Sequence, residues 1–168
     1  MLILADALRQ LRFGQLMAVY EEGNRENGED LYPELPEAQQ LAQAEQDFYF
    51  YLRTEFFSQR GDRYCIWEEN GTYVSALRLQ RYQDGLLLEA LETHPQYRGR
   101  GYAKKLIRAA LETAANEKVY SHISRCNAPS IAAHIACGFQ KILDYSVYAD
   151  GSVNNRCDTY LYQKPRCE

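Results

Sequence analysis

Leu86-Leu-Leu-Glu-Ala-Leu-Glu-Thr-His-Pro-Gln-Tyr-Arg98-Gly99-Arg100-Gly101-Tyr102-Ala103 is the stretch from which the rest of the chain can be read. Up to Thr93 it is apolar and strand-like; Gly99 and Gly101 then mark a turn that opens a helix carrying Lys104, Lys105 and Arg108. Such a junction gathers free backbone N–H groups at the positive end of a helix dipole, and glycine lets an anion approach the main chain. Together with Arg98, Arg100 and Lys104, it suits a multiply charged anion such as pyrophosphate. The plain alternative is a structural glycine turn with a solvated basic face. Two other phosphate patterns do not fit. No G-x-x-x-x-G-K-[ST] occurs, and Lys104 takes the last place of the dinucleotide fingerprint that Gly99 and Gly101 begin.

Outward from this junction the elements follow in order. Asn70-Gly71 supplies the positive φ angles of a two-residue turn between Tyr64–Glu69 and Thr72–Tyr82, and Asp84-Gly85 leads into Leu86–Thr93. Three consecutive antiparallel strands are therefore predicted. Upstream, Leu11, Leu16, Met17 and Tyr20 predict a helix over 13–23, and Leu41, Glu45, Phe48, Leu52 and Phe56 predict another over 37–58. The intervening Glu21–Pro36, with glycine, asparagine and two prolines, reads as a loop, and Leu2–Leu4 as a short strand. Downstream come a helix over 101–117, a strand over 119–125, a helix over 129–137 and strands over 140–149 and 156–163, joined at Asp150-Gly151. No linker or repeat divides the pattern, so one α/β (α+β) domain over 1–168 is expected, with a helical part over 1–60 and a sheet part over 62–163.

Composition narrows the function classes. With 168 residues, 46% hydrophobic and 25% charged, the chain lies far from the disordered corner. A formal charge of −4 lacks the basic footprint of a nucleic-acid binder. No run approaches the roughly 20 apolar residues of a membrane span, and Asp6 and Arg9 interrupt the opening too early for a signal peptide. A soluble, cytoplasmic protein without membrane or nucleic-acid partners is expected. The five cysteines form no C-x-x-C pair, so reduced thiols and no metal site are expected. Residues 21–47 hold nine acidic side chains against the single base Arg25, which is either a rim attracting a cationic substrate or a solvated face.

Arg98 to Ala103 matches [QR]-x-x-G-x-[GA], and here the chain resembles the GNAT superfamily of acyl-CoA N-acyltransferases. A second segment, Asn127-Ala-Pro-Ser130-Ile-Ala-Ala-His134-Ile-Ala-Cys-Gly138-Phe139, resembles that family's N-x-x-S-x-x-x-Y-x-x-x-G-F, one strand further on. The resemblance implies a GNAT-like mixed, mostly antiparallel sheet flanked by helices, splayed between its fourth and fifth strands to hold the acyl-CoA arm. It implies acetyl-CoA as co-substrate. The amides of Arg98, Gly99, Arg100, Gly101, Tyr102 and Ala103 would hold the pyrophosphate, with Lys104 beside them. The main chain at Leu91 and Thr93 would pair with the pantetheine arm and polarise the thioester carbonyl. Asn127 would bond the arm from the other side, and Ser130 is counted with it among the cofactor-binding residues; for both, a capping role at the start of the following helix is the local alternative.

Transfer to nitrogen needs a neutral amine, and a lysine-like amine of pKa roughly 10 is almost wholly protonated at pH 7. A carboxylate, directly or through water, can take the proton. Glu92, beside the splay, is the first candidate and Glu89 the second. Their parity on one strand puts them on opposite faces unless a bulge intervenes, and either is otherwise a rim charge or a buried structural partner. The departing thiolate has a modest pKa, so a proton donor helps without being essential. Where the family has tyrosine this chain has His134, which either donates at lower pH or merely packs. His94, before Pro95, and His122, in mid-strand, have weaker claims. The predicted activity is acetyl transfer from acetyl-CoA to a small-molecule or lysine-like primary amine by direct attack, with a homodimer left open. The rivals are a silent acyl-CoA-binding or sensing module and a nucleotide-phosphate binder unrelated to coenzyme A.

Overall fold

The computed structural model describes residues 1–164. Its elements run β1 (Leu2–Ala5), α1 (Phe13–Val19), α2 (Glu21–Leu31), α3 (Glu37–Thr54), β2 (Arg63–Glu69), β3 (Thr72–Tyr82), β4 (Gly85–Thr93), α4 (Tyr102–Thr113), β5 (Lys118–Ser124), α5 (Ala128–Ile135), β6 (Gln140–Leu143), β7 (Ser146–Val147), β8 (Val153–Asn154) and β9 (Cys157–Tyr162). Seven strands make one sheet in the order β1-β2-β3-β4-β5-β9-β6, and β7 pairs with β8 apart from it. Within the sheet every neighbouring pair is antiparallel except β4 and β5, which α4 joins by a crossover. The fold is thus mixed α/β with a mostly antiparallel sheet between helices. Among the described residues no helix is long and apolar enough to cross a membrane.

Strand alternation gives the sheet two apolar faces. On one, Leu77, Leu79, Leu86 and Leu88 meet Leu106, Ile107 and Ala110 of α4, with Ile123 and Phe139 completing the layer. On the other, Tyr64, Ile66, Tyr73 and Ala76 meet Leu16 and Met17 of α1, Leu52 of α3 and Phe56. Each fully buried aliphatic or aromatic side chain contributes about 1.5–3 kcal/mol, so the helices are fastened to the sheet chiefly by these two layers. The hairpin at Asn70-Gly71 forms where its turn residues place it, whereas the next turn is Gln83-Asp84, one residue earlier than expected, with Gln83 at φ +49° and Gly85 already paired with Tyr82.

Several sequence expectations are corrected. The loop expected over Glu21–Pro36 is helical from Glu21 to Leu31, and the helix expected over 13–23 is two helices meeting at Tyr20. Acidic residues in the first turn favour α2 through the helix dipole, and Arg25 bonds Glu21 at 2.9 Å one turn away. Its two glycines do not break it, because Gly28 is where the helix meets α3. A Cβ there would stand 2.6 Å from the Gln40 carbonyl oxygen. The helix expected over 37–58 ends at Thr54 and continues as a single 3-10 turn at Phe56–Ser58. The strand expected over 140–149 is broken into β6 and β7, and β9 inserts between β5 and β6. Cys167 lies outside the described residues.

Gly28 provides a test of this packing. Helix propensity alone says Gly28→Ala stabilises, by roughly 1 kcal/mol, whereas the contact with Gln40 makes it destabilise by about 1–3 kcal/mol. A lower urea midpoint at unchanged slope is the expected result; a raised midpoint would show that α2 does not seat on α3 in this way.

Candidate active site

The site begins with a fork in the sheet. β4 and β5 pair only from Gly85 opposite Lys118 to Leu88 opposite Ser121, although both strands run on. The cause lies on the other edge of β4. Arg78 of β3 faces Glu89 and Ala76 faces Glu92, so Ala90 and Leu91 together stand opposite Leu77 alone. This is a β-bulge, and Ala90 adopts φ +49°, a left-handed conformation costly for a residue with a side chain. The Tyr20 hydroxyl holds it by donating to the Ala90 carbonyl at 2.6 Å, and the Tyr64 hydroxyl backs Tyr20 at 3.3 Å. The extra residue also cancels the alternation between the two glutamates. Glu89 pairs in register with Arg78 and Glu92 with Ala76, so both face the side of α1–α3 rather than opposite sides.

Between the fork and the N-termini of α4 and α5 lies a cleft of about 600 Å³. Leu91, Glu92 and Thr93 line it from β4; Arg98, Gly99, Gly101, Tyr102, Ala103 and Lys104 from the turn; and Asn127 and Ser130 from α5. Gly99 and Gly101 have φ +75° and +79°, and a Cβ at either would meet nothing within 4 Å. The backbone turn requires glycine there, and the space above the main chain is open. Gly101 is the N-cap of α4, so the first-turn amides that follow it lack helical acceptors at the cleft wall. Arg100 is not part of that lining; its guanidinium lies 5.4 Å over the Tyr97 ring. The Arg98 side chain folds back toward the strand end. Its Nε donates to the Thr93 carbonyl at 3.2 Å, and the guanidinium pairs with Glu22 at 2.7 Å and approaches Glu92 at 3.8 Å.

A smaller cavity of about 190 Å³ occupies the fork and shares Leu91, Asn127 and Ser130 with the cleft. His134 lines it while only 1% exposed. Its Nδ1–H donates to the Ser130 carbonyl at 2.8 Å, which leaves Nε2 facing the Ser121 hydroxyl at 3.1 Å. Ser121 is the last β5 residue of the parallel ladder, and its hydroxyl also reaches the Leu88 carbonyl at 3.0 Å. Burial lowers the His134 pKa from 6.5, with the Ser130 carbonyl opposing, so the ring is mainly neutral at pH 7. Asn127 caps α5 by accepting the Ser130 N–H at 3.1 Å on Oδ1. The donors on its Nδ2 are the part a ligand could meet.

On the other face Glu89 pairs with Arg78 at 3.1 Å, and that guanidinium lies over the Tyr51 ring at 4.9 Å and the Phe56 ring at 5.5 Å. Burial raises the Glu89 pKa from 4.5, against the pull of Arg78. Glu92 is raised by burial as well; Arg98 opposes this, and Glu22 and Glu26 of α2 add to it. Three contributors went unseen in the sequence: Tyr97, which lines the cleft, Tyr20 and Ser121. Tyr20 carries no local signal, because the carbonyl it holds is 70 residues away.

The comparisons with known proteins agree with this geometry. The family model "Acetyltransferase (GNAT) family" matches residues 24–139. The chain belongs to the GNAT acetyltransferase family. Among solved structures it resembles the PaiA N-acetyltransferase of Thermoplasma acidophilum in complex with coenzyme A, at 10% identity over 98% of this chain and 99% of that one, with a TM-score of 0.63. A chimera of the spermidine N-acetyltransferase SpeG from Vibrio cholerae and hSSAT is similar at 19% identity over 96% and 95%, with a TM-score of 0.59. The ribosomal-protein-S18-alanine N-acetyltransferase of Escherichia coli is similar at 17% identity over 96% and 91%, with a TM-score of 0.57. At these identities the likeness is one of fold. No curated protein matches the chain in sequence.

Tyr20→Phe removes the donor that holds the bulge carbonyl while keeping the ring. It is expected to lower stability by about 1 kcal/mol in chemical denaturation, the ordinary net worth of a hydrogen bond. An unchanged midpoint would show that the bulge stands without it.

Proposed function

We propose that this protein transfers an acetyl group from acetyl-CoA to a primary amine, small or lysine-like, by direct attack of the amine on the thioester. The observation that carries the reading is the meeting of two features at one place: the open, amide-lined turn Arg98–Ala103 and the fork between β4 and β5. The positive-φ glycines with free space above them and the cation Lys104 fit a pyrophosphate. The unpaired strand ends of the fork fit an extended amide-containing arm. Once bound, the coenzyme supplies an activated acyl thioester.

The chain's own groups then have separable tasks. The cleft amides and Lys104 bind the diphosphate, and the main chain at Leu91 and Thr93 and the Nδ2 donors of Asn127 orient the arm. Ser130 keeps α5 in place through its bond to Asn127 and carries His134 on its carbonyl. Glu92, and after it Glu89, draws in the ammonium group and takes a proton from it, helped by the acidic residues of α2. His134, when charged, returns a proton to the sulfur side of the fork, directly or through the Ser121 hydroxyl. A cytoplasmic setting, where acetyl-CoA is made and thiols stay reduced, belongs to the same proposal.

The burial of His134 in place of the family's tyrosine favours a second reading, a silent acyl-CoA-binding module. Calorimetry with coenzyme A, together with thiol release from acetyl-CoA in the presence of a panel of primary amines, separates the two. Amine-dependent release supports transfer; saturable binding without it supports the silent module. Gly101→Val, which forces a β-branched residue to φ +79°, is expected to weaken coenzyme A binding at least tenfold.

The pH dependence follows from the two shifts. The raised pKa of Glu92 makes turnover climb as pH rises through a value above 4.5, and Glu92→Gln should flatten that limb and lower kcat/KM by about 10²-fold. The lowered pKa of His134 means that its charged form is lost as pH rises toward 6.5. The ratio of wild-type to His134→Ala turnover should therefore fall toward one above that pH. A constant ratio across the range would remove His134 as the acid.

A further inference from the structure

The cleft whose turn fits a diphosphate is also lined by a carboxylate. Among the described residues on its wall, Glu92 is the one anionic side chain, and Arg98 and Lys104 are the cations. A diphosphate and a carboxylate sharing a space of about 600 Å³ repel each other unless a cation serves both. Arg98 is built to do so. Its main chain belongs to the turn whose amides face the cleft, while its side chain folds back over the end of β4.

Three anchors hold the guanidinium there. Nε donates to the Thr93 carbonyl at 3.2 Å, Nη1 meets the Glu22 carboxylate of α2 at 2.7 Å, and Nη2 lies 3.8 Å from the Glu92 carboxylate. The side chain is half-exposed, so it is held at an accessible wall and not locked in the core. One anchor, the Thr93 carbonyl, is among the main-chain groups assigned above to the coenzyme arm. Around Glu92, α2 adds the negative charges of Glu22 and Glu26, and β3 presents the neutral Ala76 in register. The Thr93 N–H bonds the carboxylate from β4, and Tyr20 at the end of α1 is a neutral phenol close enough to feel its charge. Arg98 is thus the cation that opposes burial and the α2 glutamates in keeping Glu92 ionised.

We propose that Arg98 is a positioning residue shared by the two halves of the site: its guanidinium pairs either with Glu92, as in this structure, or with the phosphates of coenzyme A, and coenzyme binding draws it from Glu92. The inference rests on the coenzyme-binding part of the reading above. A Glu92 carboxylate released from Arg98 is a stronger base and a better partner for an ammonium group, so the acceptor side is prepared as the coenzyme seats. By reciprocity, an ammonium group that pairs with Glu92 favours coenzyme binding to the same degree. No covalent bond changes in this step; one guanidinium exchanges partners.

The test is a carbon-13 titration of the Glu92 side-chain carboxyl, assigned with Glu92→Gln, in the protein alone and saturated with coenzyme A. In the wild-type protein, saturation is expected to raise the midpoint by about one pH unit, a tenfold gain in proton affinity. In Arg98→Gln the midpoint should start higher without coenzyme A and rise by less than half as much. A merely structural role for Arg98 would change stability and leave the coenzyme-dependent rise at its wild-type size. A wild-type midpoint that bound coenzyme A does not move overturns this inference alone, and that measurement needs no Arg98 variant to fold. A rise of full size in Arg98→Gln overturns it as well. If calorimetry finds no binding of coenzyme A to the wild-type protein, the reading above fails and this inference with it.

Discussion

One surplus residue in β4 governs the architecture of the site. Because Ala90 and Leu91 share the space opposite Leu77, β4 bends away from β5 just beyond Leu88, and neither strand can satisfy the other's backbone from there on. Backbone groups freed in this way must find water or a ligand. The strain of Ala90 persists because the Tyr20 hydroxyl, brought from the end of α1, fixes its carbonyl. The helical N-terminal part therefore does more than cover the sheet: it holds open the fork beside which the cleft lies.

The bulge also divides the chemistry between two faces. The Ser121–His134 pair lies on the side of α4 and α5. Glu89, Glu92 and His122 lie on the other side, where α2 adds Glu22 and Glu26 to the field. In the proposed transfer, a proton released by an incoming amine and a proton needed by a departing thiolate would be handled by separate groups. Arg78 and Arg98 each face one of the two glutamates, which keeps that face from accumulating unopposed negative charge.

Membership of the GNAT family accounts for the sheet and the turn motif, but the family's usual tyrosine is absent. His134 occupies the place with one nitrogen pinned to Ser130 and the other directed at Ser121. A phenol carries its own proton at neutral pH, whereas a buried imidazole must first acquire one. In the proposed transfer, that difference would tie acid catalysis to pH more closely than a tyrosine does.

The elements legible from residues alone are those with short-range physical causes. Asn70-Gly71 needs positive φ angles and so announces its hairpin. Gly99 and Gly101 announce the turn into α4, and Asn127-Ala-Pro-Ser announces a capped helix. Helix α2 was not legible, because its acidic, glycine-bearing sequence resembles a loop until Gly28 is seen against Gln40. Nor was the shared face of Glu89 and Glu92, which turns on a bulge held from Tyr20. Such features come from contacts between segments tens of residues apart, and no local propensity encodes them. The motifs were readable because each is closed by the backbone of its own few residues, whereas the faces of the fork had to await the packing of helix against sheet.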